Sequence, residues 1–127
     1  MAEAFWSPVR LSLQIASLST ILVVIIGVWI GFRMARSNHR FKIVLDTLFL
    51  LPMVLPPTVI GFFLIKIFGK NSWIGVMVEG VFGHPIMFTW WAGVIACFVV
   101  SFPLMYQSAK AAFEKAHVNL EEAAADL

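Results

Sequence analysis

The chain holds 127 residues, 61% of them hydrophobic and only 13% charged, with a net charge of +2. A soluble domain is about 45–50% apolar and about 25% charged, so the composition excludes a soluble enzyme and points to a protein dissolved largely in lipid. The single cysteine, Cys97, excludes a disulfide framework and reads as a small packing residue.

A helix needs about 20 apolar residues to cross about 30 Å of hydrocarbon. Three uncharged runs approach or exceed that length: 11–32, 48–65 between Asp46 and Lys66, and 80–109, whose apolar core is 88–106. The expected fold class is therefore all-α, a polytopic membrane protein with three transmembrane helices.

Residues 1–6 are acidic and aromatic, and the apolar run that follows is too long for a secretory signal. Ser7-Pro8 predicts a helix start, with serine as cap and proline in the first turn. The first span is placed at about 9–34. Gly27 and Gly31 stand four apart, a small-xxx-small pair that lets another helix approach closely.

The link 35–40 is short enough to make helices one and two antiparallel neighbours. Arg33, Arg36, Arg40 and Lys42 surround it, which predicts a cytoplasmic link. The N-terminus and the region around residue 75 are then outside. Ser37, Glu114 and the chain after about 106 are inside, where Lys110 and Lys115 agree; Arg10, Lys66 and Lys70 argue the other way. A generic cytoplasmic loop accounts for the basic cluster without nucleic acid.

The second span is placed at about 43–65. Lys42 and Asp46, four apart, can pair along the helix at the membrane border, with an exposed and energetically trivial pair as the alternative. Pro52 and Pro56 mark one face, and Pro57 adds a second break. Each proline lacks an N–H and crowds the carbonyl four residues back, so a kinked or unwound stretch is expected at about 52–57. Thr58 can donate to a freed carbonyl, and Gly61 permits close approach. In lipid such a segment must have its backbone satisfied by protein or enclosed water. Pro52, Pro56, Pro57, Thr58 and Gly61 are therefore candidates to border a translocation path, with a plain structural kink as the alternative.

Residues 72–82 carry apolar positions at helical intervals and Trp73 at one end, which predicts a short interfacial helix. Gly83-His84-Pro85 predicts a turn. His84 has no companion at ligand spacing, so no metal site is expected. The third span, about 88–108, is expected to be capped by Thr89. Its Trp90-Trp91 suits a membrane interface, and Tyr106 and Gln107 fit the opposite one. Beyond it, Asn119 and Glu122 have capping-box spacing and predict a new helix over 119–127. Phe113, Leu120 and Leu127 recur every seven residues.

Four stretches, Phe49 to Gly61, Phe88-Thr89-Trp90, Val100 to Tyr106 and Leu120 to Ala124, together resemble the permease subunit of bacterial molybdate importers of the ATP-binding cassette class. The resemblance covers almost the whole chain, and permeases for sulfate and tungstate share the architecture. It implies that Glu122-Ala123-Ala124 match the Glu-Ala-Ala signature of importer permeases, a cytoplasmic coupling helix that docks on the ATPase subunit.

The family signature continues with a glycine and further spans, so the chain looks like the N-terminal half of such a permease. The implied protein is a multi-pass component of the bacterial inner membrane with no catalytic residues and no cofactor of its own. Its implied partners are an ATP-binding cassette ATPase subunit, a second permease copy as homodimer, and an extracytoplasmic molybdate-binding protein. No phosphate-binding glycine loop is present. No span carries a central ionisable residue, which argues against a proton-coupled carrier. The competing reading is a non-transporting structural or regulatory three-span fragment.

Overall fold

A computed structural model describes residues 2–37, 40–85 and 89–126. Phe88 and Leu127, expected as the start of the third span and the last position of the seven-residue repeat, lie outside the described residues. Among the described residues five α-helices follow in order: α1 Ala2–Arg36, α2 Lys42–Val54, α3 Pro57–Phe68, α4 Trp73–Phe82 and α5 Trp90–Ala125. The architecture is all-α, and α1 and α5 are each long and apolar enough to cross a membrane.

Helix α1 starts at Ala2, ahead of the expected Ser7 cap, and carries Pro8 inside it. Proline costs a helix the bond to the residue four back. At Pro8 that is one bond in the second turn, beside alanines and a glutamate that favour helix. Its buried positions, Ser19, Val23, Gly27, Gly31 and Met34, lie three or four apart and form one stripe.

That stripe packs on α5, and the two helices run parallel. Ile15 meets the Gly93 position, Gly27 meets Met105, and Gly31 meets Ala109. Near the start of this seam the Ser19 hydroxyl donates to the Val94 carbonyl at 3.3 Å. Beyond its far end the Phe32 and Phe113 rings meet edge to face at 5.1 Å. The partner of the glycine pair is thus within the chain. A Cβ on Gly31 would lie 2.9 Å from the Ala109 Cβ and 3.0 Å from the Lys110 backbone nitrogen, so the backbones meet here at a distance that only glycine allows.

The unwound stretch expected at about 52–57 falls at Leu55-Pro56. There helices α2 and α3 are bent by 113° relative to one another, so 43–65 forms two arms. The residue before a proline is driven out of the helical region, and Leu55 and Pro56 both precede one. Both are extended, with ψ of 142° and 146°. Two successive pre-proline residues remove the helix at this point, and Pro57 then opens α3 at its first position, where a missing N–H costs nothing. Pro52 stays inside α2, so Pro52 and Pro56 do not share one helix face.

Helix α4 follows the expected interfacial segment closely. The Ser72 hydroxyl accepts from the Gly75 N–H at 2.9 Å, a side-chain N-cap. Gly83 ends the helix in the left-handed region at φ 78°, which a glycine adopts without steric cost. Gly75 packs so closely on the Gly69 carbonyl that no side chain fits.

Helix α5 has 36 residues. At 1.5 Å per residue it is about 54 Å long, against about 30 Å of hydrocarbon. It runs through Asn119 without a break, so Asn119 sits inside a helix and the separate helix expected from 119 is a continuation of α5. The stretch 111–125 contains neither glycine nor proline and is rich in alanine and glutamate, so nothing local interrupts it.

Candidate functional site

The polar chemistry of the bundle gathers where α2 leaves the basic link and crosses α5. The two helices are antiparallel: Lys42 faces Glu114, Asp46 faces Lys110 and Tyr106, and Phe49 faces Tyr106 and Phe102. Each partner set steps by three or four residues on its own helix, so both lie on single faces.

At the centre, one oxygen of Asp46, Oδ1, accepts two bonds. The Tyr106 hydroxyl donates to it at 2.7 Å and the Lys110 ammonium at 2.9 Å. Tyr106 is fully buried, at 0% exposure. A buried phenol needs a partner for its hydroxyl, and Asp46 supplies it. Hydrogen bonds to charged groups contribute about 1.5–3 kcal/mol each, more than an exposed ion pair. The outer pair, Lys42 with Glu114 at 3.9 Å, is longer and half-exposed and adds little.

Below the polar cluster the contact becomes aromatic. Phe98, Phe102 and Tyr106 stack along α5 with centroids 5.6 and 5.9 Å apart. The Phe49 ring inserts against two of them, edge to face with Phe102 and tilted on Tyr106. Met34 of α1 joins Phe102 and Tyr106 in the buried core. Three helices are thus held at one level, with polar pairs on one side of it and apolar contacts on the other.

Lys42 and Asp46, which can pair along α2, each find a longer-range partner on α5. Nothing in the spacing of residues 42 and 46 alone reveals it. A usable signal was present in two matched sets, Lys42/Asp46 on α2 and Lys110/Glu114 on α5, which cross-pair with opposite charges when the helices are antiparallel.

The proline candidates lie at the far end of α2 and in the first turns of α3. Pro56, Pro57 and Thr58 are exposed, and Pro52 and Gly61 are half-buried. A Cβ on Gly61 would meet nothing within 4 Å, so its expected close helix contact is not made among the described residues. Glu122, Ala123 and Ala124 lie together near the end of α5 and are exposed. Just before them, His117 and Glu121 are 3.1 Å apart, one helical turn along. The ladder on α2 therefore stands between the proline break and the Glu-Ala-Ala stretch, in contact with the helix that carries the latter. Among the described residues no group of histidine, cysteine, aspartate and glutamate is arranged to hold a metal ion.

Comparison with known proteins covers nearly the whole chain. It is 51% identical over 123 residues, 97% of its length, to YvgM of Bacillus subtilis, which carries the name of a molybdenum transport system permease protein. It is 36% identical over 127 residues, 100% of its length, to the molybdenum transport system permease protein ModB of Escherichia coli. A more distant relative, 29% identical over 119 residues and 94% of the chain, is the sulfate transport system permease protein CysW of Synechococcus elongatus. The matches cover 54%, 56% and 41% of those proteins, so the chain spans about half the length of the curated relatives it matches. No family model and no solved structure matches it.

Proposed function

We propose that this chain, which by sequence belongs to the family of bacterial molybdenum-transport permeases, is part of the membrane path of an ATP-driven oxyanion importer, with molybdate as the cargo. The observation that carries the reading is the similarity, over nearly all of this chain, to two permeases named for molybdenum transport, on a chain with two helices long and apolar enough to cross a membrane and a broken apolar pair. Tungstate and sulfate are the nearest alternative cargoes, the latter because a sulfate permease is also a relative.

In this reading the chain has no catalytic group, and ATP is hydrolysed on a partner ATPase subunit. A second permease copy completes the path, and an extracytoplasmic binding protein delivers the anion. The parallel seam of α1 on α5 supports one orientation. It puts the basic link after Arg36 and the α5 extension with Lys110 and Lys115 on the same side, which by the positive-inside tendency is the cytoplasm. The N-terminus is then outside.

Glu122, Ala123 and Ala124 are the proposed ATPase-docking residues. They sit on the cytoplasmic extension of α5, exposed, and the two alanines let a partner surface approach the backbone. Asn119 would become a cap only if partner contact split α5 there. Pro52, Pro56, Pro57, Thr58 and Gly61 are the proposed path-bordering segment, its bend covered by helices that this chain does not supply. A full-length permease carrying these residues tests the reading: Glu122→Lys should abolish co-purification of the ATPase subunit and molybdate uptake. Unchanged association and uptake would refute the docking assignment.

A further inference from the structure

We infer that Asp46 is a positioning residue that couples the docking end of α5 to the proline break, through its bonds to Tyr106 and Lys110. The inference rests on the permease reading above and adds to it the route by which one end of the chain acts on the other. Three observations carry it. The first is where the contact lies. Asp46 is on α2, two turns before the break at Leu55-Pro56, while Lys110 is on the part of α5 that runs unbroken to Glu122. Displacement of the exposed end of α5 reaches Lys110 along a continuous helix, and it reaches α2 across this contact.

The second observation is the character of the contact. Polar pairs occupy the docking side of the crossing, Lys42–Glu114 and Asp46–Lys110, whereas the side toward the break is aromatic, Phe49 on Phe102 and Tyr106. Apolar ring contacts tolerate sliding, but two charge-assisted bonds on one carboxylate oxygen have a narrow geometry. Asp46 is thus the point at which α2 must follow α5. The third is that α3 lies beyond a bend of 113°, joined to α2 directly by Leu55-Pro56, and packs mainly on α4 and only lightly on α5. It is steered through α2, so a small change in the tilt of α2 is expressed at Pro57–Phe68.

Tyr106 and Lys110 both donate to the same Asp46 oxygen. Asp46→Asn keeps the size of the side chain but removes the charge that holds both donors. Lys110→Gln removes the ammonium and its charge and leaves Asp46 with Tyr106. These variants loosen the contact without opening a cavity.

The test is made in a full-length permease carrying these residues, assembled with its ATPase subunit and binding protein in lipid vesicles. The readout is molybdate taken up per ATP hydrolysed, measured per assembled transporter. A merely structural role would lower the yield of transporter and leave that ratio alone. Asp46→Asn and Lys110→Gln should each lower the ratio about fivefold or more, at the low end of a coupling free energy between sites, with the ATPase subunit still bound. Reversing the pair, Asp46→Lys with Lys110→Asp, should recover part of it. A wild-type ratio in both single variants overturns the inference, whatever their yield, and Tyr106→Phe decides if Asp46→Asn does not assemble. Glu122→Lys in parallel separates the two claims: if it leaves ATPase association intact the docking reading fails, and if it abolishes association while the single variants keep a normal ratio, only the coupling role of Asp46 fails.

Discussion

Gly31 and Ala109 face each other on the α1–α5 seam, and a Cβ on Gly31 would sit 2.9 Å from the Ala109 Cβ with the Lys110 backbone nitrogen at 3.0 Å. The neighbours at Gly31 are the Ala109 Cβ, which has no rotamer to change, and the α5 backbone, so they cannot move aside. At Gly27 the nearest atom is the Met105 Cγ, also at 2.9 Å, but a methionine side chain is flexible and can repack.

The two glycines are therefore not equivalent. Gly31→Ala should destabilise the α1–α5 pair by about 1–3 kcal/mol, the usual cost of overpacking, and Gly27→Ala by clearly less. Unfolding in detergent, followed by the fluorescence of the five tryptophans, measures both. Equal effects would mean that the helices do not meet along this seam.

The bend between α2 and α3 is attributed to Leu55 and Pro56, each held extended by the proline after it. Replacing Pro56 and Pro57 together by alanine should let one helix run through. Spin labels at Ile43 and Lys66 would then move from about 18 Å apart, for two arms bent by 113°, to about 35 Å for a straight helix at 1.5 Å per residue. An unchanged distance would place the cause of the bend elsewhere.

Much of this was legible in the sequence, and the exceptions have physical causes. The runs behind α1 and α5 were plain because a long uncharged apolar stretch has few other solutions. Helix α4 could be read from Ser72, Trp73 and Gly83, which act locally. The prolines signalled a weakness but not its size, because a kink becomes a 113° turn only when two successive residues are both excluded from the helical region. Asn119 misled because a cap residue acts as a cap only where the chain enters a helix, and here the helix was already under way. The Asp46 cluster was the largest omission. Its partners are 60 and 64 residues away, and an i, i+4 rule cannot see across helices.

Tyr106→Phe keeps the ring in its stack but removes the hydroxyl that Asp46 accepts. It should cost about 1–2 kcal/mol, toward the lower end for a bond to a charged group since Lys110 remains. Tyr106→Ala should cost about 3–5 kcal/mol, because a fully buried ring is lost as well. Urea or thermal unfolding in detergent separates the two. A Tyr106→Phe variant as stable as the parent would show that the hydroxyl makes no net contribution.

Orientation can be checked by cysteine labelling in intact cells after Cys97→Ala. Val76→Cys is preferred to a substitution at Gly75, which has no room for a side chain. Val76→Cys should react from outside, and Ser37→Cys and Glu114→Cys only after the membrane is opened. Ser37 labelled from outside would reverse the topology drawn from the basic link.

The central claim is that the exposed end of α5 meets an ATPase subunit, and the most direct measurement is a photo-crosslinker at Ala123 in a full-length permease carrying these residues. The account predicts a single major adduct with the ATPase subunit, lost when Glu122 is changed to lysine. Adducts only with lipid, or with another part of the permease, in a transporter that still takes up molybdate, would contradict it.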